Sequence, residues 1–275
     1  MTELKLRRRQ ATAQYFTEGL GSGVELEMAY IPAGEFWMGE PDDEFQHFVT
    51  VPQFFMGKYP VTQAQWLAVM GDKNTSNFQD DFDKNGDALK RPVERVLWND
   101  AQEFCKKLSE RTRKLYQLPS EAQWEYACRA VVPEEKGEAL TKAIWNEKYH
   151  QPFHFGETIS TEIANYDGNY TYGKGSKGEY RKQTTPVDYF GIANRFGLCE
   201  MHGNVREWCL DHWHSTYENA PTDGSAWIEG GDSGLRVNRG GSWINAPRIC
   251  RSAYRLNPIP GDRFNSIGFR VVCVP

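Results

Sequence analysis

The chain has 275 residues, a formal net charge of −5 and no apolar stretch long enough to span a bilayer. Net negative charge disfavours a nucleic-acid-binding surface, because neutralising phosphates requires clustered Lys and Arg. The single short basic run, residues 5–9, is followed by polar residues and lacks the apolar core of a secretory signal. These features predict a soluble, cytoplasmic protein without nucleic-acid or membrane partners, and the acidic charge without a heptad pattern favours a monomer.

The composition is rich in aromatic residues, with 9 Trp, 13 Tyr and 15 Phe beside 25 Gly and 14 Pro. Such a chain predicts little regular secondary structure, with large rings filling a core between irregular segments. The 6 cysteines have no CxxC spacing, so buried free thiols are favoured over a disulfide framework or a zinc site.

Short strands come first along the chain, at residues 28–31 with 36–38 and at the pair 49–51 and 54–56. Three helices follow, because a capping residue stands three positions before a Gln at three places: Thr62 with Gln65, Asn99 with Gln102, and Ser120 with Gln123. The second helix has apolar residues at helical spacing that predict a buried stripe: Ala101, Phe104, Cys105 and Leu108.

Residues 156–188, rich in Gly, Tyr, Asn and Thr, predict a long ordered loop whose aromatic side chains pack against the domain. A last strand is predicted at residues 269–274. Between them, residues 239–270 combine fixed turn and core residues with a stretch that has neither helical nor strand periodicity. From position 244 to 266 this stretch contains no Lys, Glu, Gln, Met or Trp, although the rest of the chain uses all five.

Seven segments in this order resemble signatures of the formylglycine-generating-enzyme (sulfatase-modifying factor) family. They are IPAGEFWMG (31–39), YPVTQAQW (59–66), RPVERVLWNDAQEFC (91–105), LPSEAQWEYACRA (118–130), GLCEMHGNVREW (197–208), RGGSW (239–243) and IGFR (267–270). The resemblance implies an α+β, C-type-lectin-like fold with low regular secondary structure and few helices around small antiparallel sheets. It covers residues 25–275 and leaves residues 1–24 as an N-terminal extension.

The family's oxidases use two cysteines after the GGS motif to bind copper(I) as soft thiolates. Aligned forward from GGSW, Cys250 falls at the second of these positions and Asn245 at the first. The pair is incomplete, so we expect no catalytic residue and no copper. A metal-dependent thiol oxidase remains an alternative, and its signature would be a second thiol within reach of Cys250.

The pattern GGSW…P…CRSA.R…P..R…IGFR also resembles the variable region of bacterial proteins diversified by retroelements, in which adenines of a template are copied with errors. The resemblance implies a variable region at about residues 244–266, in which Trp243, Arg251 and Arg255 hold the frame. The displayed positions would be Ile244, Asn245, Ala246, Ile249, Tyr254, Leu256, Asn257, Ile259, Phe264, Asn265 and Ser266. Tyr254, Leu256, Ile259 and Phe264 would form an apolar centre.

The family resemblance further implies two structural calcium sites built from carboxylate, amide and main-chain oxygens. One set maps to Glu200, Gly203, Val205 and Glu207, and the other to Asn165, the carbonyl of Tyr166, and Glu179 with the carbonyl of Arg181. The sequence therefore predicts a non-catalytic, calcium-braced protein that binds a ligand, expected to be a protein, through its C-terminal surface. The third alternative is a regulatory or adaptor domain of fixed specificity.

Overall fold

The computed structural model describes residues 10, 12–41, 45–71, 74–82 and 87–274, so the basic run at residues 5–9 lies outside the described chain. The strands are β1 (Tyr15–Gly19), β2 (Glu25–Ile31), β3 (Gly34–Met38), β4 (His47–Val51), β5 (Phe54–Gly57), β6 (Leu115–Gln117), β7 (Arg206–Trp213), β8 (Asp232–Arg239), β9 (Ile267–Gly268) and β10 (Val272–Val274). The helices are α1 (Gln63–Met70), α2 (Trp98–Thr112), α3 (Glu121–Arg129) and the short α4 (Lys142–Ile144), which continues as a π-helical turn, Trp145–Tyr149. The prediction of few helices and low regular structure is confirmed.

Three sheets organise the fold. The largest is antiparallel in the order β1-β2-β5-β10-β6, β3 pairs with β4, and β7 lies between antiparallel β8 and parallel β9. Strand β1 belongs to the predicted N-terminal extension and forms an edge of the main sheet. The chain's first and last strands therefore share one sheet.

The predicted strands form, but the predicted pairing is wrong. Strand β2 pairs with β5, and β3 pairs with β4, instead of β2 with β3 and β4 with β5. The two-residue links, Pro32 with Ala33 and Pro52 with Gln53, contain no residue with positive φ, which the tight hairpin turns require. The chain passes from one sheet to the other at these links.

Only the second half of the predicted strand at residues 269–274 forms, as β10, and the short β9 precedes it. Residues 267–268 join β7, residues 272–274 join the main sheet, and the backbone between them hydrogen-bonds elsewhere, with Val61 donating to the Phe269 carbonyl. The division allows Arg270 to enter the core, where its side chain is fully buried.

Capping boxes begin two of the three predicted helices as expected, with Thr62 bonded to Gln65 and Ser120 bonded to Gln123. The predicted Asn99 cap is wrong, because α2 begins at Trp98 and its N-cap is Leu97. Asp100 accepts the Leu97 backbone N–H, and the Trp98 N–H is bound by the carbonyl of Pro260. A distant loop thus supplies part of the capping that a local side chain would otherwise provide.

The main sheet separates two apolar clusters, because alternate residues of a strand face opposite sides. Ala29 and Ile31 lie in the cluster with α3, whereas Leu26 and Met28 lie in the cluster with α1 and α2. The predicted stripe of α2 is entirely buried in the second cluster. All six cysteines are buried and unpaired, as predicted.

Residues 156–188 contain no helix or strand and pack through a third apolar cluster that includes Ile159 and Tyr166. This agrees with the prediction of an ordered loop. Among the described residues, no helix is long and apolar enough to cross a membrane.

Candidate ligand-binding surface

The C-terminal segment, residues 239–270, is hydrogen-bonded through its backbone to several separate parts of the fold. After β8 the Trp243 N–H donates to the Asn204 carbonyl, and Leu256 then returns to form a bridge with Asn238. Further on, the Phe264 carbonyl accepts from the N–H of Arg95 beside α2. Main-chain hydrogen bonds therefore hold this path at several points.

Arg239 is the innermost fixed point of the segment. It is fully buried and donates to the carboxylates of Glu121, at 3.1 Å, and Glu125, both on α3. Burial opposes ionisation, but Arg129 and Arg239 together hold the pKa of Glu125 below its ordinary value. Arg239 also donates to the carbonyls of Ser252 and Ala253, at 2.8 and 3.0 Å, so one guanidinium ties the segment to the helix.

Arg255 forms a second fixed point. Its guanidinium donates to both oxygens of Glu121, at 2.7 and 2.8 Å, in the bidentate geometry that suits Arg and carboxylate. The same group lies 4.6 Å from the ring centre of Trp213 and 4.2 Å from that of Tyr217. The predicted framing role of Arg255 therefore has a structural basis.

Trp243 is the third fixed point. Its ring is buried between Phe78 and Tyr180, and its Nε1–H donates to the Asn265 carbonyl at 2.9 Å. This bond joins the two ends of the segment. Arg251 is less buried and pairs with Glu40 at 2.5 Å.

The predicted variable positions differ from these fixed points in exposure. Ten of the eleven are exposed or half-buried, and only Ser266 is buried. Every other buried residue of the segment, such as Pro247, Cys250 and Phe269, is a position predicted to be fixed. Apart from Ser266, the buried side of the segment thus consists of positions predicted to be fixed, whereas the accessible side combines ten predicted variable positions with fixed ones such as Arg248, Gly261 and Arg263.

The predicted apolar centre is spread over this accessible side. Tyr254 lies beside the guanidinium of Arg251, Leu256 bonds to β8, and Phe264 lies beside Arg206 at the start of β7. Ile259 and Phe264 are the most exposed of the four, at 57% and 48%. These two residues give the surface its freely accessible apolar contacts.

A small cavity lies behind the surface, lined in part by Asn165, Glu200, His202 and Asn204. One oxygen of Glu200 accepts from Asn204 at 3.1 Å, whereas its Oε1 and the Oδ1 of Asn165 are buried without a partner. Burial raises the pKa of Glu200 to about 8. Two unpartnered oxygens in one cavity are the kind of site that a water or a cation satisfies.

His202, which lines this cavity, stacks on His154. His202 Nδ1 contacts the Cys250 carbonyl at 2.7 Å and its Nε2 accepts from the His154 backbone N–H, so the ring is neutral, and burial lowers its pKa to about 4. His154 has both ring nitrogens buried without a partner, and burial holds its pKa well below the ordinary value.

Replacing His154 with Phe is expected to stabilise the protein, with a benefit that grows as the pH falls. The folded protein resists protonation of His154, so the neutral ring contributes stability above the unfolded pKa of about 6.5 that is lost below it. The difference in free energy of unfolding between His154→Phe and the parent should rise by up to about 1.4 kcal/mol for each pH unit below about 6.5. Urea unfolding of the parent and of His154→Phe at several pH values measures this gain. An equal gain at every pH would contradict this account.

Comparison with known proteins identifies the domain. A family model described as "Sulfatase-modifying factor enzyme 1-like domain" matches residues 22–274. The chain belongs to this family. The formylglycine-generating enzyme of Mus musculus is 27% identical, with the alignment covering 95% of this chain and 79% of the mouse protein.

Two solved structures are similar over almost the whole chain. Treponema denticola variable protein 1 has a TM-score of 0.73 and 26% identity, covering 96% of this chain and 100% of that one. PvdO from Pseudomonas aeruginosa has a TM-score of 0.69 and 32% identity, covering 94% of this chain and 98% of that one. The C-type-lectin-like fold of the formylglycine-generating type is therefore confirmed.

Membership does not by itself establish catalysis, because the family includes both formylglycine-generating enzymes and proteins named inactive ones. The chain spans from 37% to 89% of the length of its curated relatives. Activities of the longer relatives are not carried over to it.

The thiol arrangement differs from the pair that the sulfatase-modifying factor oxidases are expected to use. At the first position, Asn245 accepts from Ser242 at 2.7 Å. At the second, Cys250 packs against Gly241, and burial raises the pKa of its thiol to about 12. Among the described residues, no thiol contacts Cys250. Cys128 instead contacts the hydroxyl of Ser252 at 3.6 Å. One protonated thiol is a poor copper(I) ligand.

The first predicted calcium set is only partly available. Both oxygens of Glu207 are bound by Arg270, at 2.7 and 2.8 Å, and one also accepts from Trp124. Gly203 packs so closely that an added Cβ would lie 2.3 Å from the Asn165 carbonyl oxygen, and Val205 is buried. Glu200 alone keeps a free carboxylate oxygen.

The second predicted set, the side chains of Asn165 and Glu179 with the carbonyls of Tyr166 and Arg181, stays a prediction. Glu179 is exposed and pairs with Arg181 at 3.0 Å. The structure instead brings Asn165 and Glu200, one from each set, to the same cavity. Within the described residues, no three His, Cys, Asp or Glu side chains converge as a metal site. A cation there would need amide and carbonyl oxygens in addition to Glu200.

Proposed function

We propose that this protein is a non-catalytic ligand-binding protein whose accessible C-terminal surface is diversified while its buried frame stays constant. The observation that carries the proposal is the division of residues 239–270 into a buried fixed side and an accessible side. A surface that tolerates exchange needs side chains that lie outside the core, and ten of the eleven predicted positions are exposed or half-buried.

The similarity to a protein named Treponema denticola variable protein 1 supports this proposal, because it extends over the whole of that chain. In retroelement-diversified families most targeted codons resemble AAC, and adenine substitution in such codons cannot produce Lys, Glu, Gln, Met or Trp. The absence of these five residues between positions 244 and 266 therefore also supports the proposal. A bacterial origin, a cytoplasmic location, a monomeric state and a protein ligand belong to the same proposal.

The thiol-oxidase alternative receives less support. Its signature would be a second thiol near Cys250. The position expected for that thiol holds Asn245, and Cys250 itself is buried and protonated. A fixed-specificity adaptor shares the fold and differs only in whether the accessible positions vary.

A combinatorial library tests the surface directly. Exposed and half-buried predicted positions would be randomised together in a displayed form of the protein, and folded clones selected by resistance to protease. We expect most clones to stay folded, because the frame does not use these side chains. A matched library at buried fixed positions, such as Ser252, Ala253 and Phe269, should yield few folded clones. Equal losses in the two libraries would contradict the proposed division.

We also propose that calcium braces the cavity between Asn165 and Glu200. Calcium at about 100 times its dissociation constant should add about 2.7 kcal/mol to the free energy of unfolding. Glu200→Gln should abolish this gain, whereas the exposed Glu162→Gln should retain it. Thermal unfolding with calcium or with chelator measures both. Equal stability with and without calcium would sink the calcium proposal and leave the cavity to water.

A further inference from the structure

Arg206 lies directly beneath the accessible surface, at the start of β7. Its guanidinium carbon is 5.9 Å from the ring centre of Phe264, and its Nη2 donates to the hydroxyl of Ser266 at 2.9 Å. Arg206 itself is outside the predicted variable set. On the proposed function, Arg206 stays constant while the residues that contact it, Phe264 and Ser266, vary.

The hydrogen-bonding capacity of Arg206 is largely unused. Its Nε is buried without a partner, and among the described residues Ser266 provides its only hydrogen bond. Burial lowers the pKa of Arg206 to about 10, although the negative charge of Asp262 acts in the opposite direction. The carboxylate of Asp262 is bonded to the Ile259 N–H at 3.2 Å and forms no hydrogen bond with Arg206. A desolvated guanidinium with free N–H donors is costly unless an anion or water completes it.

Two further arginines adjoin Phe264 through the backbone. Arg95 is exposed and its N–H donates to the Phe264 carbonyl, while Arg263 precedes Phe264, is exposed and pairs with Asp100 at 2.9 Å. With Arg206, these arginines exceed the two carboxylates of the same stretch, Asp100 and Asp262, by one positive charge, on a chain whose net charge is −5.

We propose that Arg206 is a constant anchor for a carboxylate of the protein ligand, an Asp or Glu side chain that enters beside Phe264. This inference rests on the proposed ligand-binding function. The planar guanidinium fork matches a carboxylate in two parallel hydrogen bonds, and the exposed rings and aliphatic groups beside it take the apolar contacts. The diversified positions then select among acidic ligands, and the constant Arg206 sets the charge that all of them share.

The acidic protein surface is the ligand that the charges favour. A nucleic acid would offer phosphates to the same guanidinium, but it would meet the negative charge of the rest of the chain. A selected peptide is therefore the appropriate probe.

The test pans a displayed random peptide library against the whole protein and keeps peptides whose binding is lost in the variant Ile259→Ser with Phe264→Ser. We expect these peptides to be enriched in Asp and Glu. Exchanging the key acidic residue for its amide should weaken binding about tenfold or more, and Arg206→Gln should do the same.

The decisive readout is the double-mutant cycle. In the Arg206→Gln variant, the acidic peptide and its amide version should bind equally tightly, because the peptide carboxylate no longer has a guanidinium to pair with. A merely structural role of Arg206 would weaken both peptides alike and leave their ratio unchanged. Arg248→Gln, an exposed variant of identical charge change, serves as control and should leave the ratio unaltered.

Two results would overturn the inference. Peptides that depend on Ile259 and Phe264 but lack acidic residues, or that show no coupling to Arg206, would contradict the anchor and leave the binding surface intact. A selection that yields no peptide dependent on these positions would contradict the proposed function itself and the anchor with it. Unfolding curves for Arg206→Gln ensure that the comparison uses folded protein.

Discussion

Replacing Arg239 with Met is expected to lower the free energy of unfolding by about 3 to 5 kcal/mol. The substitution keeps a long apolar side chain but leaves the carboxylates of Glu121 and Glu125 facing each other with one guanidinium fewer in a buried site. It also frees the carbonyls of Ser252 and Ala253 that Arg239 holds. The measurement is urea unfolding of the variant and the parent.

Arg263→Met is the matched control, because its ion pair with Asp100 is partly exposed. Exposed pairs contribute about 0 to 1 kcal/mol, so this variant should unfold close to the parent. Similar losses for Arg239→Met and Arg263→Met would show that the buried network does not hold the C-terminal segment.

Replacing Trp243 with Ala is expected to cost about 3 to 5 kcal/mol as well. The substitution empties the space between Phe78 and Tyr180 and removes the bond to the Asn265 carbonyl, which joins the two ends of the segment. Ligand binding should fall with it, since the exposed positions lose their common support. Thermal unfolding and peptide binding would be measured on the same sample.

Phe264→Ala provides the contrast. Its ring is 48% exposed, so its removal should change stability by about 0.5 kcal/mol or less while weakening ligand binding. Should Phe264→Ala destabilise the fold as strongly as Trp243→Ala, the distinction between frame and display would fail.

Local sequence rules predicted the parts of the fold that depend on neighbours in the chain. Thr62 and Ser120 cap their helices because each has a Gln three residues later, and the α2 stripe follows from helical spacing alone. The Asn99 cap failed because a carbonyl from Pro260, far along the chain, supplies what a local cap would. Strand pairing failed for a related reason, since it depends on which sheet each strand joins.

The binding surface shows the same limit. Motif resemblance located the segment at residues 239–270 and its fixed points, including Trp243 and Arg255. It did not reveal that Arg239 pairs with Glu121 and Glu125, or that Arg255 pairs with Glu121. These pairs join positions more than 100 residues apart. The buried charge of α3 was a possible signal: two acidic residues four apart in a helix with an apolar stripe. Arg206 had no sequence signal, because its unused donors appear only in three dimensions.

The most direct measurement is the sequence of the DNA that flanks the gene. The account predicts a near-copy of the stretch coding for residues 243–267 beside a reverse-transcriptase gene, with mismatches confined to adenines of the copy and falling on the accessible positions. A flanking region without such a copy, together with unchanging residues at those positions in sister alleles, would contradict diversification and favour an adaptor of fixed specificity.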